Sequence, residues 1–333
     1  MASESDQSPE QSSDQSSGQW GRRGPGGHPG RPEWLIDSPR RLALEEPVKS
    51  LQVRVVGGTV NVVGLAPGAG GEGAAGSGAR LEVAAIDGPP LRVTLEGGVL
   101  TVAYDDVPWQ GFLKLLDRRG RRRSADITLA VPAHAEVRLA AVSAATVVSG
   151  LTGPTETRGI TGDTTLVGLR GPVTAHTVSG AVEVQALRGQ LAFHSVSGTL
   201  TVLDGGAGAV KADSVTGDLI VDVTEGQGAE GPGGLPPGHA TPTELAMTTV
   251  SGDIAVRLPP RPDAVVEAHT TGGSLSCGFE DLRMDGHWGA RRITGTLGSG
   301  RGRLKATTVS GRIALLRRAP APADAAPSFV KDA

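Results

Sequence analysis

Apolar and polar residues recur in a nine-residue phase through the middle of the chain. Stepping by nine from Val142 gives VSAATVVSG, LTGPTETRG, ITGDTTLVG, LRGPVTAHT, VSGAVEVQA, LRGQLAFHS and VSGTLTVLD. Position 1 is apolar. Position 3 is Gly at 153, 162, 171, 180, 189 and 198, with Ala144 leading. Positions 5 and 7 are mostly apolar, with Thr sometimes substituting, and alternate with outward positions 6 and 8. That is the period of a β-strand. Each nonad therefore predicts a short strand and a corner. Gly at position 3 can supply a backbone conformation closed to other residues, or room where backbones approach.

Alternate nonads are more alike than neighbours. The step (T/S)-V-(S/T)-G recurs at 177–180, 195–198, 214–217, 249–252 and 308–311. The structural turn is then about 18 residues with two strands, and stacked turns pair in parallel. After Leu203 the phase slips by one residue and resumes. Residues 56–62 (VGGTVNV) fit the template, and 98–102 (GVLTV) fit part of it. Roughly eight or nine rungs at the usual inter-strand spacing make a body on the order of 40 Å long. The expected fold is all-β: a parallel β-solenoid over residues 45–318, held by contacts between neighbouring rungs.

Other segments depart from this phase. Residues 1–32 and 319–333 read as disordered tails, too poor in apolar residues to offset the entropy of ordering. Residues 67–79 and 225–242 read as flexible loops. Residues 104–123 (YDDVPWQGFLKLLDRRGRRR) break the strand pattern and read as a lid over an end or side of the solenoid. Residues 278–292, with Phe279 and Trp288, read as a second cap.

Composition agrees with a narrow solenoid. Glycine makes up 50 of 333 residues and aromatics only 3%, so the interior must be built from Val, Leu, Ile, Ala and Thr. Net charge is −3, from 32 basic and 35 acidic residues, and gives no global pull toward nucleic acid or an anionic membrane. Cys277 alone excludes an intrachain disulfide or a cysteine zinc site. The polar N-terminus lacks the charged and apolar regions of a secretory signal. No run is long and apolar enough to span a bilayer. These features lead to the expectation of a cytoplasmic protein.

The (T/S)-V-S-G steps, the segment VPAHAEVRLAAVSA at 131–144 and the segment PPLRVTLEGGVLTVAY at 89–104 together resemble the bacterial "putative adhesin" domains of unknown function. The resemblance covers residues 45–318. It implies a β-solenoid and supplies no catalytic residues.

Candidate chemistry is sparse. Calcium-binding nonapeptide repeats need a recurrent Asp, whereas Asp163, Asp218 and Asp253 stand apart in the sequence. Position 8 of alternate nonads aligns Arg158, His176, His194, Asp213, Thr248, His269 and Thr307. His176, His194 and Asp213 should sit on successive rungs, a ligand set suited to a divalent metal or simply a solvated polar ladder. A second column, Ser143, Thr161, Ser179, Ser197, Thr216, Ser251 and Ser310, could form a sugar- or ice-binding face. It could instead be a ladder in which hydroxyls bond one another and the corner backbone. The basic run Arg118, Arg119, Arg121, Arg122 and Arg123 could dock on an anionic surface or flank the lid.

No nucleophile, base or phosphate-loop arrangement is present, and no catalytic residue, cofactor or metal is assigned. The expected function is a non-enzymatic binding or scaffold module presenting an extended surface to a protein or glycan. The alternatives are a cytosolic regulatory partner acting through the basic lid or tails, and a polysaccharide-active β-helix enzyme. The last needs clustered carboxylates, and Glu156, Asp163 and Glu183 are scattered.

Overall fold

The computed structural model describes residues 32–66, 78–104, 123–206, 208–224, 244–287 and 289–319. Among them are 26 strands and no helix. Most strands fall into ten parallel rungs. Each rung gives one strand to a 14-stranded sheet, sheet one, and one to a 12-stranded sheet, sheet two.

In spatial order the first five rungs are β7 (Val99–Ala103) with β8 (Ser124–Pro132), β3 (Ser50–Val55) with β4 (Gly57–Leu65), β9 (Glu136–Ala141) with β10 (Ala145–Ser149), β11 (Thr155–Gly159) with β12 (Thr164–Val167), and β13 (Val173–Thr177) with β14 (Val182–Gln185). The next five are β15 (Leu191–Ser195) with β16 (Leu200–Gly205), β17 (Val210–Asp213) with β18 (Leu219–Val223), β19 (Glu244–Thr248) with β20 (Ile254–Leu258), β25 (Gly302–Thr308) with β26 (Ile313–Arg317), and β21 (Ala264–Thr270) with β22 (Leu275–Cys277). Ten rungs at the usual spacing make a stack about 43 Å long.

The register carries the 18-residue period: Thr155 pairs with Val173, and Val173 with Leu191. The slip after Leu203 is a bulge. The β16–β18 register shifts between Val202 and Gly205, where Asp204 takes a left-handed conformation (φ 51°). Leu191 then pairs with Val210, one residue late.

Rung order departs from chain order at both ends. The β3/β4 rung lies between β7/β8 and β9/β10, and β25/β26 lies between β19/β20 and β21/β22. The ends are closed by antiparallel strands. On one side β6 (Leu91–Glu96) and then β1 (Glu33–Ile36) continue sheet one, while β5 (Ala79–Asp87) and then β2 (Arg40–Leu44) continue sheet two. On the other, β24 (Ala290–Leu297) and β23 (Arg283–His287) fold back on β21, with Phe279 and Leu282 buried nearby in sequence. The predicted cap at 278–292 coincides in part with this hairpin and the segment before it, where Phe279 is buried; Trp288 lies outside the described residues. The predicted lid, apart from Tyr104 and Arg123, lies outside the described residues. So do the 225–242 loop and nearly all of both tails.

The interior explains the aromatic deficit. Inward positions of stacked strands meet, so bulk in one rung must be matched by small residues in the next. Phe193, fully buried, stacks between Ala175 and Ala212, and Ala212 stacks on Met247 beneath Ala306.

Candidate functional surface

The corners are committed to structure. A Cβ built on Gly189 would stand 2.0 Å from the carbonyl oxygen of Gly171. On Gly171 it would stand 2.3 Å from that of Gly153, and on Gly311 1.9 Å from that of Gly252. These glycines do not have positive φ. They are required because the rungs approach too closely for a side chain, not because the corner needs a left-handed turn.

The Thr or Ser that opens each (T/S)-V-S-G step accepts a hydrogen bond from the glycine N–H three residues on. The distances are 3.1 Å at Thr177, 2.6 Å at Ser195, 3.0 Å at Ser214 and 3.2 Å at Thr249. Thr308 and Thr270 do the same and also donate to the stacked carbonyls of Gly252 and Gly311, both at 3.2 Å. The predicted hydroxyl column bonds backbone rather than other hydroxyls. Ser143, Thr161, Ser179, Ser197 and Thr216 each donate to a carbonyl one rung away at 3.1–3.2 Å. Asp218 and Asp253, separate in sequence, sit on adjacent rungs. Each accepts the backbone N–H of the next rung, from Asp253 and Arg312 respectively. Such hydroxyls and carboxylates serve the ladder and are poorly placed to serve a ligand.

The outer face of sheet one is ionic. Arg138 reaches Glu136 at 2.7 Å, Arg158 reaches Glu156 at 2.6 Å, and Arg292 reaches Glu267 at 2.7 Å. His176 and His194 lie on adjacent rungs with ring centroids 5.1 Å apart and planes 20° apart. His194 Nδ1 is 3.5 Å from Asp213. The predicted column is therefore assembled, but as a face-to-face stack whose in-plane nitrogen lone pairs run side by side rather than converge. Among the described residues no group of three or more His, Cys, Asp and Glu is arranged to hold a metal ion. Partial burial, the neighbouring His194 and Arg158 together hold the His176 pKa below its usual value, against the opposing pull of Glu156.

The outer face of sheet two differs. From β4 to β26 its outward residues are mainly Thr, Val, Ala, Gln and Leu, and Val63, Val147, Ile220 and Leu316 are each 37–45% exposed. Its charges are Glu183, the strand-start residues Asp163, Asp218 and Asp253 with Arg312, and a cluster near one end. Asp222, with its side chain only 7% exposed, is bonded by Arg257 and by Arg318 at 2.5 Å. Burial works to raise the Asp222 pKa, but the two guanidiniums outweigh it and hold the carboxyl below its usual range. No described aromatic ring lies on this face: Tyr104, Phe193 and Phe279 are buried, and Trp34 is partly buried. The apolar character was hidden in the sequence because its members are far apart; the signal that could have exposed it is the outward column of each nonad.

Of the basic run, Arg123 is described, and its carbonyl accepts the Gly57 N–H at 2.9 Å. The four other arginines lie outside the described residues. Among the described residues no helix is long and apolar enough to cross a membrane.

Comparison with known proteins adds three findings. The family model described as Toastrack DUF4097 matches residues 97–316. No curated protein matches the chain. Among solved structures, the crystal structure of a "putative cell adhesion protein" from Clostridium sporogenes aligns with 84% of this chain and 100% of its own, at 10% identity and a TM-score of 0.24.

Proposed function

The chain belongs to the Toastrack DUF4097 family, a domain of unknown function, and from that premise we propose that it is a non-enzymatic binding module that docks a protein on the outer face of sheet two. The observation that carries this reading is the asymmetry of the two faces. Outward positions of a solenoid are free of core constraint, yet sheet one fills them with ion pairs, while sheet two carries fewer charges and half-exposed Val, Ile and Leu. Half-exposed apolar residues gathered on one face support an interaction site there. A protein fits better than a glycan, because no described aromatic ring on this face offers a platform for sugar rings. Against an enzyme stands the use of the corner hydroxyls and carboxylates in the backbone ladder.

The test is a photo-crosslinking residue placed at Ile220, with Lys211 on sheet one as the control position, in the cells that make the protein. Protein adducts from position 220 and not from 211 are expected. Equal adducts from both, or none from either, overturn the assignment of this face. On the cytoplasmic reading of the sequence the adducts form with intracellular proteins, and recovery of the chain outside the cell would count against that reading.

A further inference from the structure

The stacked column on sheet one lies apart from the docking face. We infer that His176 and His194 form an oxyanion site on the outer face of sheet one, one that takes a phosphate or sulfate group across the two rings when they are protonated. The geometry suits an anion and not a metal. The rings lie on adjacent parallel strands, with centroids 5.1 Å apart and planes 20° apart. A metal ion must lie near the plane of each ring that binds it, and planes so nearly parallel share no point close to both nitrogens. An oxyanion has no such need. Its oxygens are separate acceptors, each taking an N–H at about 2.7–2.9 Å. One ring can then bond one oxygen and its neighbour the next, with a lean that hydrogen-bond angles tolerate.

Charge around the rings favours the same ligand. On the outer face from β9 to β17 the carboxylates Glu136, Glu156 and Asp213 are matched by Arg138, Arg158 and Lys211. Protonated His176 and His194 therefore carry the unmatched charge. Arg158 on β11 pairs in register with His176 and continues the column by one rung, held by Glu156 at 2.6 Å. Asp213 on β17 lies 3.5 Å from His194 Nδ1 and 3.9 Å from Lys211. It fixes that ring and leaves Nε2 as the donor to a ligand. The His194 side chain is 41% exposed, so a solute can reach it. Beside the two rings stand Thr174 and Ala192, paired with each other. Both are short and uncharged, so neither β13 nor β15 offers a carboxylate that competes for the rings. Burial, then His194 and Arg158, hold the His176 pKa down against the pull of Glu156. The two charged contributions mean that a proton arrives in a positive field, which a bound anion relieves. Protonation and anion binding are then linked, and each strengthens the other.

NMR titration of His176 in the purified full-length protein tests the site, in chloride and in about 50 mM sulfate at matched ionic strength. Sulfate should raise the His176 midpoint by about half a unit. That is the linkage expected when the protonated site binds sulfate at about 10 mM and the neutral site about tenfold more weakly. His134, in the turn between β8 and β9, should not move. His194→Ala should abolish the sulfate effect on His176, and an otherwise unchanged spectrum establishes that the variant folds. Glycerol phosphate in place of sulfate separates the sources of the group: an equal rise assigns the site to a phosphate ester, and no rise assigns it to the free anion. No rise in sulfate overturns the inference. A rise that His134 shares is general screening and overturns it as well. A rise that survives His194→Ala overturns the bridged geometry, because one ring then suffices.

Discussion

The glycine ladder makes the most discriminating stability prediction. Gly189→Ala places a methyl group 2.0 Å from the Gly171 carbonyl oxygen. An ordinary carbon–oxygen contact needs about 3.3 Å, so the two rungs must part by about 1.3 Å at that corner, against a strand spacing of about 4.8 Å. That displacement falls on adjacent ladder bonds such as the Arg188 N–H to Leu169 carbonyl, 2.9 Å long. Overpacking with weakened backbone bonds should cost about 3 kcal/mol or more. Gly168→Ala is the contrast. Gly168 has φ 64° and no atom within 4 Å of a built Cβ, so the cost is the left-handed penalty less the stabilisation from the lower entropy of the unfolded chain, about 1 kcal/mol. In thermal melts followed by far-UV dichroism, the first change should lower Tm by about 6–12 °C and the second by about 2–4 °C. A backbone-angle rule for corner glycines makes the opposite ranking. If Gly168→Ala melts at or below Gly189→Ala, close approach is not the reason these glycines are required.

Other measurements test the remaining structure. Phe193→Ala should cost about 3–5 kcal/mol in urea unfolding, because Ala175 and Ala212 on either side are too small to fill the void; a loss under about 1 kcal/mol would show that the column collapses around it. His176 should titrate below its usual 6.5 in NMR, chiefly through burial, with His194 and Arg158 adding to the depression. A lowered pKa means the folded state binds fewer protons, so this contribution to stability is full above 6.5 and declines as pH falls toward the folded value. His194→Gln should recover part of the shift, and titration of His176 at or above 6.5 would contradict the stacked geometry. Asp263 is held by Arg301 at 2.5 Å and by Ser299, and its pKa falls to about 2, with the Arg301 side chain the leading cause. Its contribution is present above the unfolded carboxyl value and is lost as pH drops toward 2. Asp263→Asn should therefore flatten the acid limb of urea midpoints over that window, and an unchanged limb would refute the assignment.

The period was legible because the interior repeats. Val173, Leu191 and Val210 stack as the nonad phase requires, and even the one-residue slip after Leu203 is a real bulge at Asp204. The order of the rungs was not legible. Residues 50–65 and 302–317 insert one rung inside each end, and nothing local to either segment distinguishes insertion from simple succession, since both positions satisfy the same inward pattern. The glycine argument was half legible: room for a close approach and a special dihedral angle predict the same residue, and only the stacked carbonyls separate them. The His176, His194 and Asp213 column was legible as a column. Its chemistry was not, because spacing along a sheet fixes proximity but not the direction of a nitrogen lone pair.

Rung order matters for more than topology, because it decides which outward residues share a surface. Val63 and Leu316 are separated by most of the chain, yet they stand on the same face with six rungs between them. Read in chain order, each is an isolated exposed apolar residue of the kind any surface carries. Read in rung order, they bound a stretch that also holds Val147 and Ile220 and little unpaired charge. The core and corner positions cannot vary freely: the first must match the bulk of the rung above, and the second must leave room for its carbonyl. Outward positions are under neither constraint. The difference between the two outward faces is therefore not set by core or corner packing, and it is the reason the proposed docking function is placed on sheet two rather than on sheet one.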